Sequence, residues 1–212
     1  MKILKHPSYI YCLDILAGRI KAPKYVILQC SQFKMMAEGK SEKYIIDDEK
    51  VEMIDDLLDL LIMPKGLKAG KSIYDCIAAF QLFFIIAVLC AVYRDNLERR
   101  RYETAVLEIC RKNGKTFLVG LIFILLFLLE PKYSKFYSVA PDGSLSREVK
   151  EAITEIIGSS PLLENKFKIR RDDIYCKITD NKYVPLNYSN SRLDGKLPSV
   201  FLVDEVGALP NP

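Results

Sequence analysis

Arg111-Lys112-Asn113-Gly114-Lys115-Thr116 is the segment from which the interpretation of this chain begins, because of what lies on either side of it. Before it, residues 104–109 are mainly apolar and predict a short buried strand. After it, residues 115–129 predict a helix that is apolar throughout from Phe117 onward except for Gly120. A strand, a loop and a helix in this order predict an α/β layer architecture.

A loop of this kind has the chemistry to bind phosphate. Backbone N–H groups, a helix N-terminus and a lysine converge on the oxygens of a polyphosphate. Gly114 lets the backbone approach closely, Lys115 reaches the outer phosphates, and the Thr116 hydroxyl can ligate Mg²⁺. The loop from Arg111 to Thr116, including Lys112 and Asn113, is therefore the predicted ATP-binding segment.

The match to the usual pattern GxxxxGK[ST] is incomplete, because Ile109 stands where the first glycine is expected. A GKT sequence alone is a weak signal. The alternative is an ordinary helix start, with Lys112 and Lys115 solvated. The buried strand before the loop, the long helix after it and an acidic strand end downstream favour a nucleotide site.

That acidic strand end is the second half of the predicted site. Residues 201–203 are apolar, and Asp204 and Glu205 follow them directly. A strand of a parallel sheet would place Asp204 at the carboxyl edge, beside the phosphate loop. There Asp204 would hold Mg²⁺, usually through water, and Glu205 would polarise the attacking water. The alternative is a strand that leads to an acidic turn.

Gln81 is a third candidate, since it is the polar residue of an otherwise apolar helix. A glutamine amide can both donate to and accept from an adenine edge. A buried glutamine bonded to backbone is an equally good interpretation.

Composition limits the class of protein. The 212 residues are 50% hydrophobic and 27% charged, which is ordinary for a globular protein and excludes disorder. The net charge of +4 fits a protein that meets phosphate groups without establishing nucleic-acid binding. The six cysteines form no CxxC pair and His6 is the only histidine, so we expect free thiols in a reducing cytosol and no zinc site. No secretory signal is recognisable at the start.

Two apolar runs have the composition of possible membrane spans. Residues 117–129 are too short for a span of about 20 residues, and residues 76–93 are borderline and contain Gln81. Both runs lie beside the nucleotide-motif candidates, where buried helices are expected. A membrane hairpin is therefore the minority interpretation, and we expect no membrane association.

The remaining pattern predicts helices and strands along the whole chain. Helices are predicted at 9–17, 24–38, 47–62, 81–93 and 146–157, and strands at 136–140, 174–178, 183–186 and 200–203, with a hairpin around Asp180-Asn181. We therefore predict a mostly parallel sheet flanked by helices, of the P-loop NTPase type. An N-terminal helical segment would cover residues 1–65 and the ATPase domain residues 66–212.

With these residues in place, the chain resembles the ATPase region of the tailed-phage terminase large subunit family, the motors that package DNA into capsids. Its loop is similar to that family's Walker A loop, which lacks the first glycine and carries an arginine. The resemblance extends over nearly the whole chain, through residues 11–20, 22–26, 79–81, 108–116, 138–142, 193–195 and 203–205.

The resemblance implies roles for the site residues. Lys115 and Thr116 would bind phosphate and magnesium, Asp204 would support the magnesium, Glu205 would be the catalytic carboxylate, and Gln81 would lie on the adenine side. Arg111 would contact the γ-phosphate or couple hydrolysis to movement. An arginine that neutralises transition-state charge contributes roughly 10³–10⁵ in rate in related phosphoryl-transfer enzymes.

The resemblance also implies partners. These are double-stranded DNA gripped through its phosphate backbone, the terminase small subunit, the capsid portal and further copies in a ring, all in the host cytoplasm. The cations available for DNA are Arg94, Arg99, Arg100, Arg101, Arg170 and Arg171, although a solvated surface is the simpler role for any one of them.

Residues 203–205 are similar to the family's Walker B segment, beyond which a terminase subunit would continue into a nuclease domain, whereas this sequence ends at Pro212. We therefore expect a fragment that binds ATP better than it hydrolyses it and that does not cut DNA. Two alternatives remain at this point. One is another P-loop enzyme, such as a helicase-like ATPase or a small-molecule kinase. The other is a membrane or scaffold protein that does not bind nucleotide.

Overall fold

The computed structural model describes residues 2–141, 143–187 and 197–205, except for the side chains of residues 143–146 and 187. The chain forms two compact units. The first comprises Met1–Asp59 and Ile73–Glu108, and the second comprises Leu60–Ser72 and Ile109–Pro212. The predicted boundary at residue 65 remains a prediction, and these units divide the chain differently.

The first unit is mainly helical. Its helices are α1 (Pro7–Leu16), α2 (Lys24–Ala37), α3 (Asp48–Leu60, whose last residue belongs to the second unit) and α4 (Ala79–Cys90). Helix α1 packs against α2 and α4, and the rings of Phe33 and Phe83 meet edge to face at 5.2 Å. A two-stranded antiparallel ribbon, β1 (Tyr44–Ile46) with β2 (Ala91–Tyr93), completes the unit.

Local sequence explains where α1 begins. Pro7 occupies the first helical turn, where a missing N–H costs nothing, and the Nδ1 atom of His6 accepts the Ser8 N–H at 3.2 Å. The Nε2 atom of His6 lies 3.1 Å from Asp55 of α3, so the capping residue also links two helices. The only histidine of the chain therefore has a structural environment.

The second unit contains a five-stranded sheet in the order β4-β5-β6-β3-β7. Strand β3 (Lys135–Ala140) lies between β6 (Lys182–Asn187) and β7 (Val200–Val203) and runs parallel to both. Strands β4 (Phe167–Ile169) and β5 (Ile174–Cys176) extend one side of the sheet in antiparallel pairing. The carboxyl ends of the three parallel strands therefore share one edge of the sheet.

Helix α5 (Lys115–Leu129) packs on this sheet through its aromatic residues. Phe123 lies 4.9 Å from the ring of Tyr183, and Phe127 lies 5.2 Å from Phe136 and 5.3 Å from Phe167. Both phenylalanines are buried, and burial of such a side chain contributes about 1.5–3 kcal/mol. Helix α6 (Gly143–Ser159) packs against α5, β3 and β6.

Residues 60–72 belong to the second unit and contact the rest of it through polar groups. The Ile62 N–H donates to Ser160 Oγ at 3.0 Å, and Lys65 forms a salt bridge with Glu155 at 2.7 Å. None of the helices described is both long enough and apolar enough to cross a membrane.

The predicted fold class is confirmed: the chain is α/β, with parallel strands flanked by helices and an N-terminal helical segment. Two predictions about elements were wrong. The helix predicted to reach Tyr93 ends at Cys90, because residues 91–93 pair with residues 44–46. The strand predicted at 104–109 is irregular backbone, and Val106 is 85% exposed. The chain stays beside β2 only as far as Arg100 and Arg101, and a strand forms only where a neighbour supplies the pairing.

Candidate nucleotide site

The predicted phosphate loop is a tight turn that leads into α5. Lys112 and Gly114 both have positive φ, at 67° and 75°. The Asn113 side chain donates to the backbone oxygens of Cys110 at 3.1 Å and Arg111 at 3.4 Å, which closes the turn. No described side chain caps α5. Because the first N–H groups of a helix have no partner within the helix, the loop presents backbone donors at its mouth.

The position of α5 depends on Gly120. A Cβ atom at Gly120 would lie 2.9 Å from the Ala152 Cβ and 3.2 Å from the Ile153 backbone nitrogen. Only glycine therefore allows α5 to approach α6 this closely. The sequence carries a signal for this contact, a single glycine within an apolar run, but a glycine alone does not indicate which helix it contacts.

The acidic residues stand directly after β7. The Asp204 N–H donates to the Val139 carbonyl at 2.9 Å, which continues the β7–β3 pairing and fixes Asp204 at the carboxyl edge. Asp204 Oδ1 accepts the Glu205 N–H at 2.9 Å. Glu205 has φ 52°, a left-handed conformation that is costly for a residue other than glycine. No sequence signal predicted this strain.

Lys115 joins the two halves of the site. Its Nζ atom lies 2.8 Å from Asp204 Oδ1 and 2.5 Å from Glu205 Oε1. The exposed fractions of the three side chains are 31% for Lys115, 15% for Asp204 and 49% for Glu205. Burial lowers the pKa of Lys115, but the hydrogen bonds and charges of both carboxylates outweigh it and raise the pKa above its ordinary value. The lysine is therefore charged and held between two anions.

The other loop residues lie around this cluster with fewer constraints. Arg111 and Lys112 are exposed, and neither forms a salt bridge with a described residue. Thr116 is half-buried at the second position of α5. Ser138, Val139 and Ala140 form the carboxyl half of β3, whereas Asp142 and Leu193-Asp194-Gly195 lie outside the described residues.

Gln81 belongs to the first compact unit, whereas the phosphate loop belongs to the second. Gln81 is buried, and its Oε1 atom accepts the Ala78 N–H at 3.1 Å, so the side chain caps the start of α4. This is the backbone-bonded role that the sequence left open. Its adenine role stays a prediction.

The residues present fit a magnesium nucleotide. In the described part of the chain, no three His, Cys, Asp or Glu side chains form a group that could hold a metal ion on their own. Mg²⁺ does not require one, because it is usually held by one or two carboxylates together with substrate phosphates and waters. Asp204 and the Thr116 hydroxyl are suitable ligands, and Lys115 and the α5 N-terminus suit the phosphates.

Comparisons with known proteins identify the family and the fold. The family model described as "Terminase large subunit, ATPase domain" matches residues 79–212. Among solved structures, the chain is similar to the large terminase of bacteriophage HK97, with a TM-score of 0.60 and 22% sequence identity. The match covers 74% of this chain and 31% of that one, and at this identity it shows the fold. No curated protein sequence matches the chain.

Proposed function

Because this chain belongs to the terminase large subunit ATPase domain family, we propose that it binds ATP with Mg²⁺ at the Lys115 cluster and hydrolyses it to drive DNA into a capsid. The cluster consists of Lys115, Asp204 and Glu205. The chain corresponds to about a third of the length of the HK97 protein, so the activity of a whole terminase is part of this proposal.

The observation that carries the proposal is the pairing of one lysine with two carboxylates, 89 and 90 positions away in the chain, at the mouth of a helix-capping loop. A stable core does not require this arrangement, because an exposed ion pair contributes only about 0–1 kcal/mol. A site that exchanges partners does require it. Lys115 would exchange these carboxylates for phosphate oxygens, and Asp204 would then be available as a ligand for Mg²⁺.

Each residue has a separate role in this proposal. Lys115 and the first N–H groups of α5 bind the phosphates. Thr116 and Asp204 hold Mg²⁺, which would neutralise phosphate charge. Glu205 orients and polarises the attacking water. Arg111, exposed in the turn before the helix, contacts the γ-phosphate and offsets the charge that develops there.

The chemistry of the loop also supports a role for Lys112 and Asn113 in ATP binding. Asn113 closes the turn, and Lys112 and Gly114 have positive φ, a backbone conformation found in turns that bind anions. Gln81 would contribute on the adenine side. Because Lys115 engages Glu205, the residue assigned to the attacking water, we expect binding of ATP to be easier to detect than turnover.

The proposed partners follow from the family. They are duplex DNA, held through its backbone and without sequence preference, the terminase small subunit, the capsid portal, and further copies of the chain in a ring. The place of action would be the cytoplasm of the phage host.

The test is binding of a non-hydrolysable ATP analogue with Mg²⁺ to the full chain and to Lys115→Ala. We expect the substitution to weaken binding by about 10- to 100-fold, since a hydrogen bond to a charged group contributes about 1.5–3 kcal/mol. Lys65→Ala is the matched control, because Lys65 is an ion-paired lysine of the same unit. Equal affinity of the Lys115→Ala chain and the unmodified chain would eliminate the site.

Glu205→Gln and Arg111→Ala separate binding from catalysis. Both variants should retain most of the affinity for the analogue, because neither removes Lys115 or the helix N-terminus. Both should lower the rate of phosphate release from ATP. An unchanged rate in either variant would exclude the catalytic role assigned to that residue.

A further inference from the structure

The amino edge of the sheet, opposite the Lys115 cluster, carries a surface that the proposed function does not use. Register places four side chains in one row, because Lys168 pairs with Tyr175, Tyr175 with Lys182, and Lys182 with Lys135. Directly paired residues project from the same face of a sheet. With Lys132 and Tyr133 in the preceding turn, these residues form what we call the amino-edge surface: Lys132, Tyr133, Lys135, Lys168, Tyr175 and Lys182.

Tyr133 is held in an unusual way. It has φ 68°, the left-handed region that a bulky residue rarely adopts, and 72% of it is exposed. A tyrosine placed this way gains no burial energy to compensate for the strain. Such strain persists only where the surroundings determine the conformation, and it is concentrated at functional positions.

A buried polar network imposes that conformation. Asn181, fully buried, accepts the Ser134 N–H at 2.7 Å and donates to the Phe127 carbonyl at 3.1 Å. The Tyr133 N–H donates to the Thr179 carbonyl at 3.0 Å, and the Thr179 hydroxyl donates to Phe127 at 2.8 Å. Hydrogen bonds from the buried side thus fix the backbone of the turn between α5 and β3, and the Tyr133 side chain points away from the core.

Charge is concentrated around this turn. Residues 132–135 and 164–182 contain eight Lys or Arg and four Asp or Glu, an excess equal to the net charge of +4 of the whole chain. Asp173 pairs with Lys182 at 2.9 Å and with Arg170 at 3.5 Å, and Asp180 accepts from the Tyr175 hydroxyl. Lys132, Lys135 and Lys168 form no salt bridge with any described residue.

Three arginines of the first unit, Arg94, Arg99 and Arg101, differ in this respect. Arg94 donates to the backbone oxygens of Ser41 and Gly39, both at 2.8 Å, and Arg99 pairs with Glu103. Arg101 donates to Gln32 at 2.7 Å. These arginines, which the sequence offered as DNA contacts, are engaged within their own unit.

We propose that the amino-edge surface binds the phosphate backbone of duplex DNA. The proposal rests on the proposed function, for which it supplies the contact surface. Unpaired lysines along one edge of a sheet suit a polyanion, and a lysine ammonium is a point charge that cannot read bases bidentately. The exposed Tyr133 ring gives an apolar contact with sugar at the same place. Binding is therefore electrostatic and independent of sequence.

The experiment measures affinity of the full chain for a short labelled DNA duplex of arbitrary sequence over a series of salt concentrations. In the test variant Lys132, Lys135 and Lys168 are all replaced by Glu. In the matched control Lys5, Lys21 and Lys24, which are exposed elsewhere and form no salt bridge with a described residue, are replaced by Glu, so the net charge changes equally. We expect the affinity of the test variant for DNA to be lower by about tenfold or more. The magnitude of its slope of log K against log salt should decrease by about 2–3, and the control should lose less affinity.

Tyr133→Gly supplies a second readout, because glycine keeps the backbone conformation and removes only the ring. It should weaken DNA binding without changing the salt slope. The proposal is overturned if the control loses as much affinity as the test variant, if the test variant loses none, or if polyglutamate binds the unmodified surface as tightly as DNA.

The two proposals fail separately. The variant with Lys132, Lys135 and Lys168 replaced by Glu should bind the ATP analogue as the unmodified chain does. Lys115→Ala should bind DNA normally without nucleotide. Loss of DNA binding only in the triple variant supports the amino-edge surface even where no analogue binds. Analogue binding with no difference between the triple variants retains the nucleotide site and rejects the DNA surface.

Discussion

The carboxyl and amino edges of the sheet differ in whether their lysines are paired with acidic residues. At the carboxyl edge, Lys115 is bonded to Asp204 and Glu205, and these groups sit on a positive-φ loop and a strained strand end. At the amino edge, a buried amide fixes the backbone, and lysines without an acidic partner among the described residues surround it. The first edge has charges that can exchange partners, and the second has a rigid frame that presents unpaired charge.

The largest expected effect tests the rigid frame. Asn181→Ala removes the acceptor of the Ser134 N–H, which is then left buried without that partner, and one of the two donors to the Phe127 carbonyl, which keeps the Thr179 hydroxyl. We expect a loss of about 3 kcal/mol in the free energy of unfolding, since an unsatisfied buried group costs about 1–3 kcal/mol and each lost hydrogen bond about 0.5–1.5 kcal/mol. Chemical denaturation measures it.

The control for this prediction is Asn96→Ala, since the Asn96 side chain accepts an exposed N–H from Glu98. Its cost should stay below about 1 kcal/mol. If Asn181→Ala costs no more than the control, the amino edge is not held by its buried network, and the contrast between the edges disappears.

A smaller effect is expected at Gly120, which allows α5 to approach α6 and so positions the carboxyl edge. Gly120→Ala brings a Cβ atom to 2.9 Å from Ala152 and forces α5 away from α6. Overpacking of this kind costs about 1–3 kcal/mol. Because α5 carries Lys115 at its start, affinity for the ATP analogue should fall as well, whereas DNA affinity should change less.

The double variant Gly120→Ala with Ala152→Gly provides the rescue. It removes the closest contact and should recover part of the stability and of the analogue affinity. A Gly120→Ala chain that is as stable as the unmodified chain would show that the helix contact has room for a methyl group.

The ion pairs of Glu38, which are not part of the candidate site, provide a comparison for the Lys115 cluster. In the first unit, hydrogen bonds from Lys34, Lys40 and Tyr9 lower the pKa of Glu38 from 4.5 to about 2. A carboxyl with a lowered pKa stabilises the fold above pH 4.5 and loses that contribution as the pH falls toward 2. Glu38→Gln should therefore cost about 1 kcal/mol at pH 7 and reduce the acid sensitivity between pH 4.5 and 2.

Denaturation at several pH values measures this effect. Glu52→Gln serves as the control, since Glu52 pairs with Lys2 at an exposed position. A Glu38→Gln chain with the same loss of stability on acidification as the unmodified chain would contradict the prediction.

The sequence predicted those parts of the molecule that depend on local information. Helix α5 was predicted with its observed bounds, because an apolar run and a glycine start define a helix without help from distant residues. The β1–β2 ribbon was not predicted, and the prediction of a strand at 104–109 was wrong. In both cases the reason is that a strand depends on a partner elsewhere in the chain.

The candidate site divides in the same way. Parallel strands bring their carboxyl ends to one edge, so the sequence predicted that Lys115, Asp204 and Glu205 would meet there. It did not predict that Lys115 would bind both carboxylates, nor the positive φ of Glu205. The amino-edge surface draws its lysines from separate segments, and only the sheet register aligns them.

The smallest effect has the opposite sign and tests the strain at the carboxyl edge. Glu205 adopts φ 52° with a side chain that is 49% exposed. Its exposed ion pair with Lys115 contributes about 0–1 kcal/mol, whereas left-handed backbone at a residue other than glycine costs about 1–2 kcal/mol. Glu205→Gly should therefore raise the free energy of unfolding by about 0.5–1 kcal/mol and abolish turnover.

Glu205→Gln is the matched variant, because it removes the charge and retains the strained backbone. It should be no more stable than the unmodified chain and equally impaired in ATP turnover. Stability that rises in the glycine variant alone assigns the gain to released strain. If the glycine variant is instead less stable than the glutamine variant, the left-handed conformation at this position carries no strain.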